Sequence, residues 1–126
     1  MMNGPGDAGP VALDPCPETP NCVSSLAAEA GQRVAPLTFS GAPTAAWLRL
    51  QQVVETMPRA RIVERTPQRL HVEFTSRIFR FVDDVVCVMD EAAGVIQIRS
   101  ASRVGYSDFG VNRRRVETIH SLFNRS

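Results

Sequence analysis

Apolar residues recur along this chain in two rhythms, and each rhythm predicts its own kind of element. Trp47, Leu50, Val54 and Met57 fall at helical spacing and make one stripe, with Thr44 placed to cap that helix and Pro58 to end it. Period two takes over afterwards. Arg61 to Arg65 predicts a short strand, turned by Thr66-Pro67-Gln68. From Leu70 to Ser76, Leu70, Val72 and Phe74 face one way and His71, Glu73 and Thr75 the other. Ile78 to Met89 predicts a long strand whose core face holds Phe79, Phe81, Val85, Cys87 and Met89. Asp90 to Ala93 makes a hairpin loop, and Val95 to Arg103 returns with Ile96, Ile98, Ser100 and Ser102 inward. A last helix, about Asn112 to Asn124, buries Val116, Ile119 and Phe123, with Asn112 as its N-cap. The order α-β-β-β-β-α predicts an α+β fold: a four-stranded antiparallel meander with both helices on one face.

Ahead of this regular part, residues 1–10 are rich in Gly and Pro and predict a disordered tail, leaving 11–126 as a single domain. Val23 to Gly41 carries apolar residues without a period and predicts an irregular wrapping segment. That segment has a task. Val82, Val86 and Val88 make the second face of the long strand too apolar for solvent. The wrapping segment is the expected cover, with a second copy of the chain in a homodimer or an apolar ligand as the alternatives.

Totals change this picture little. The length of 126 residues suits one domain with a real core. A net charge of +1 and an aromatic content of 6% give no general attraction to nucleic acid. No apolar run reaches the roughly 20 residues of a membrane span. The opening MMNGPGDAGPVALDP lacks the pattern of a signal peptide, so as written the chain is expected to be soluble and cytoplasmic; a processed or truncated N-terminus would make it exported or membrane-associated. All 14 basic residues are arginines. Arginine pairs bidentately with carboxylate or phosphate, so its placement, more than its number, carries information.

The placement is uneven. Ile98 to Arg115 gathers five arginines against one carboxylate, Asp108. Three of them, Arg113 to Arg115, open a helix, where the dipole prefers anions. Arg80, Arg99, Arg103 and Arg115 are therefore the candidate contacts for a small anion or an acidic partner surface, with Tyr106 and Asp108 shaping the loop between them. Pairing Met89 with Gly94 would set Asp84 opposite Arg99 and Arg80 opposite Arg103. Glu73 could then join them in an ionic layer that needs no ligand. Both readings stay open. Cys16 and Cys22, in the proline-bent CPETPNC, form a disulfide, stay as thiols, or offer two of the four ligands a closed zinc site requires. Cys87 lies among apolar neighbours and reads as core. No nucleotide-binding or catalytic motif is present, and His71 near Glu73 is the thin exception in a chain that calls for no cofactor.

CPETPNCVSS, FRFVDDV and IRSASRVGYSDFGVNRRRVE together resemble the family catalogued as domain of unknown function 1499, found in bacteria and plastids. The resemblance runs from about Cys16 to Phe123. It implies no particular reaction, and it implies that similar proteins are often exported or membrane-attached, which this N-terminus departs from. It also suggests that the three blocks meet in space, with the CPETPNC loop over the arginine-lined strands. The leading expectation is a non-enzymatic anion-binding domain, with a structural or assembly module, or a metal or redox role of the cysteine pair, as the alternatives.

Overall fold

A computed structural model describes residues 12–105 and 108–126. The expected tail at 1–10, and Tyr106, lie outside them. The meander and both helices form as α+β. Helix α1 (Pro43–Glu55) precedes strands β3 (Ala60–Arg65), β4 (Arg69–Thr75), β5 (Val82–Asp90) and β6 (Val95–Ser102), and α2 (Val111–Arg125) follows. Two short strands, β1 (Cys22–Ser24), which starts in the CPETPNC loop, and β2 (Leu37–Thr38), form where Val23 to Gly41 is expected to be irregular, with a 3₁₀ turn at Ala30–Gln32 between them. Both pair antiparallel with β6, so the sheet order is β1-β6-β5-β4-β3 with β2 also on β6.

Side chains alternate across this sheet and build two unlike faces. Leu70, Val72, Phe74, Val85, Cys87, Ile96 and Ile98 face the helices and pack with Trp47, Leu50, Val54, Val116, Ile119 and Phe123 into one core. Each such side chain contributes about 2 kcal/mol by leaving water. On the other face, Val86 and Val88 are buried beside Cys22, Ser24, Gln97 and Ala101.

Three details differ from expectation. The long strand starts at Val82 rather than Ile78, because β4 ends at Thr75 and offers no ladder beyond the pair Thr75–Val82. Ser76 closes the connection instead: its N–H donates to the Phe81 carbonyl at 2.8 Å, and its hydroxyl accepts the Phe81 N–H at 2.9 Å. Phe79 and Phe81 consequently leave the expected core face and stand 72% and 52% exposed, with Ile78 beside them at 79%. The hairpin register also moves by two, with Met89 opposite Ile96, so Asp84 faces Ala101 and Arg99 faces Val86. Finally, neither expected cap sits in its place. Ala42 precedes α1, with Pro43 setting its first turn, and Gly110 precedes α2 in the left-handed region at φ 82°.

Candidate functional site

All the candidate chemistry gathers at one end of the sheet. The register puts the end of β4 beside the start of β5, the start of β5 beside the end of β6, and the start of β3 beside the end of β4. Asn21, just before β1, joins them, since its carbonyl accepts the Ser102 N–H at 3.0 Å. Of the ionic layer expected on the sheet, Glu73, Asp84 and Arg103 are joined here, while Arg80 and Arg99 stand outside it.

On the helix side, the β6–α2 junction is a filled polar network. Asn112, expected to cap α2, is instead fully buried. Its side-chain oxygen accepts the Ser100 hydroxyl at 2.5 Å. Its amide donates to Asp108 at 2.7 Å, Ser102 at 2.9 Å and the Asn21 carbonyl at 3.3 Å. The cap comes from Asp108, which accepts N–H bonds from Gly110 at 2.8 Å and from Asn112 at 3.1 Å. Burial opposes charge on Asp108, but the Asn112 amide and these backbone donors hold its carboxyl below the usual range. The helix start thus already holds an anion of its own. Arg115 donates to Asp83 at 2.7 Å and lies 4.8 Å over the Phe74 ring, and Asp83 is only 8% exposed. Arg113 points elsewhere, to the carbonyls of Gly31 and Arg33 at 2.8 and 3.3 Å.

On the opposite face, Glu73 and Asp84 stand directly across from each other on β4 and β5. Like charges so placed repel. Arg103 resolves this by bridging both, at 2.6 Å to Glu73 and 2.7 Å to Asp84. Arg61 adds a 3.1 Å contact to Glu73, and His71 Nε2 lies 2.7 Å from Asp84. Hydrogen bonding to Arg103, first of all, lowers the pKa of both carboxylates, and the two acids raise that of Arg103 in return. His71 therefore pairs with Asp84 and not with its sequence neighbour Glu73, a diagonal relation that only the register reveals.

The expected anion contacts do not converge. Arg103 and Arg115 lie on opposite faces, each with its own acid. Arg99 donates to the Pro15 carbonyl at 3.3 Å, and its Nε is buried without a partner among the described residues. The CPETPNC loop does reach the strands: Cys16 and Cys22 are joined as a disulfide, and Cys22 faces Ala101 on β6. No group of three His, Cys, Asp or Glu among the described residues is placed for a metal.

Arg80 remains, and it has company the sequence did not suggest. Arg59, Arg61, Arg77 and Arg80 line a cleft of about 300 Å³ at the ends of β3 and β4, with Thr75 and Ser76 between them. Arg59 donates to the Thr75 carbonyl at 3.2 Å. Arg77 and Arg80 have no ionic or hydrogen-bonding side-chain partner among the described residues. Arg59 and Arg80 also hold φ of 59° and 60°, a left-handed backbone that costs a residue other than glycine about 1 kcal/mol. Strain of this kind concentrates at ligand-binding sites. The signal for this cleft in the sequence is the run SRIFRF, with two arginines and no acid.

A family model described as Protein of unknown function (DUF1499) matches residues 12–123. The chain belongs to this family. Comparison with curated proteins and with solved structures gives no match. In this DUF1499 domain the three sequence blocks are neighbours: β1 pairs with β6, and β6 with β5. Among the described residues no helix is long and apolar enough to cross a membrane.

Proposed function

We propose that this DUF1499 domain is a non-enzymatic binding module that receives a small anion or an acidic group in the cleft of Arg59, Arg61, Arg77 and Arg80. One observation carries the reading: four arginines and no acid line one cleft, and Glu73, which meets Arg61 there, is already shared with Arg103. Bidentate forks around a hollow with hydroxyl donors suit a phosphate, sulfate or carboxylate. The sheet edge is favoured over the helix start, where Asp108 occupies the free N–H groups.

The ion pairs of Arg103 and Arg115 favour a second reading, in which arginines serve only to brace an assembly module. Isothermal titration with inorganic phosphate and sulfate separates the two. Saturable binding that disappears in Arg77→Ala/Arg80→Ala supports the cleft. Absence of binding by the wild-type chain leaves the bracing reading alone.

A further inference from the structure

The loop that carries Arg77 and Arg80 also carries Ile78, Phe79 and Phe81, three of the large apolar side chains this protein leaves in water. Phe79 and Phe81 stack on each other with centroids 5.6 Å apart and planes 18° apart. Ser76 clamps the base of the loop through its backbone and its hydroxyl, so the rings are held out by a closed turn. A second exposed apolar residue group sits alongside. The Arg103 N–H donates to the Val82 carbonyl at 3.1 Å, which brings the β6–α2 connection and its exposed Val104 next to this loop. One end of the sheet therefore presents an apolar tip with a collar of arginines.

Charge decides what fits it. The acids nearest the tip, Glu73, Asp83 and Asp84, are all held by Arg103 or Arg115, whereas Arg77 and Arg80 have no carboxylate among the described residues. The surface is thus apolar at its apex and cationic around it. A protein groove would need a matching hollow for two stacked rings. A lipid surface needs none, because acyl chains flow around a convex tip while guanidiniums reach the phosphate layer on their long stems.

We propose that this end of the domain docks on an anionic phospholipid surface, with Ile78, Phe79 and Phe81 entering the acyl boundary and the Arg59–Arg61–Arg77–Arg80 cleft taking a lipid headgroup phosphate. This rests on the anion reading of the cleft and names the source of its phosphate.

The test uses the full chain and two probes: inorganic phosphate by titration calorimetry, and sedimentation with vesicles of phosphatidylcholine, alone or mixed with phosphatidylglycerol. Binding is expected on the mixed vesicles and not on the neutral ones, and it weakens as salt rises. Phe79→Ser/Phe81→Ser lowers vesicle partitioning by about tenfold or more while leaving the phosphate isotherm unchanged, since the loss of two buried rings exceeds the roughly 1.4 kcal/mol of one decade. Arg77→Ala/Arg80→Ala loses both. As an independent reporter, Phe79→Trp shifts its emission to the blue when mixed vesicles are added. Phosphate binding without vesicle binding overturns the lipid proposal and leaves the cleft reading standing. Vesicle binding that ignores the two phenylalanines, or that is equal on neutral lipid, also overturns it. Failure with both probes removes both readings.

Discussion

Two neighbouring connections at the same end of the sheet use similar residues and meet opposite fates. Around the β6–α2 connection, Arg103 on one face and Arg115 and Asp108 on the other each have a partner, and Asn112 ties strand to helix. The β4–β5 connection, beside it, projects two largely exposed rings and two arginines that have no side-chain partner among the described residues. The difference lies in acids. Three carboxylates start or flank β5, and the first connection captures them all. Arg77 and Arg80, beyond them, keep their charge without a carboxylate partner among the described residues. One connection therefore holds the fold together, and the other is free to make contacts that the fold does not need.

Mutations should separate these roles sharply. Asn112→Ala is expected to cost most, about 3 kcal/mol in urea unfolding, because the fully buried Ser100 hydroxyl would lose its acceptor and Ser102 and Asp108 would each lose an amide donor. Opening the Cys16–Cys22 disulfide with Cys16→Ser should cost about 2 kcal/mol, the chain-entropy value for so short a loop. The same unfolding assay reads it, and reductant should reproduce it in the wild type. A melt unchanged by Cys16→Ser would remove the loop from the list of elements that hold β1 on the sheet.

Much of this architecture was legible, because burial on one side leaves a periodic trace. Leu70, Val72 and Phe74 alternate, Trp47, Leu50 and Val54 recur in helical steps, and each set is buried where its rhythm placed it. The failures have a common physical source. Phe79 and Phe81 keep the period of a strand, yet a strand needs a partner, and β4 had already ended. Strands β1 and β2 span only 3 and 2 residues, too few to show any period. Asp84 and Arg103 meet diagonally across a register that the hairpin sets, and a shift of two residues leaves the faces unchanged while it exchanges every ionic partner. Asn112 looked like a cap because capping and core bridging draw on the same amide.

Acid should test the braced half further. Glu73, Asp84 and Asp108 all have lowered pKa values in the fold, so their contribution is complete above the ordinary carboxylate range near pH 4 and is lost as pH falls through their folded values. Urea midpoints should therefore drop from pH 7 to pH 3. Arg103→Ala should lower the midpoint at pH 7, with the gap to wild type closing at acid pH once Glu73 and Asp84 are protonated. A gap that persists would mean that Arg103 acts by packing rather than by charge.

The smallest expected effect is the most discriminating. Arg80→Gly relieves a left-handed backbone and should raise stability by about 1 kcal/mol while weakening phosphate binding. Gain of stability together with loss of binding would show that Arg80 serves the ligand at a cost to the fold. Gain without loss would show the strain to be incidental.

Cys87 supplies an internal gauge for all such comparisons. Of the three cysteines it alone keeps a free thiol, and its burial in the core pushes that thiol up to about 12. An alkylating reagent can reach it only when the sheet parts from the helices, so the labelling rate counts whole-molecule openings without any added probe. Events confined to the projecting loop should leave that clock running at its old pace, whereas damage to the buried web should speed it.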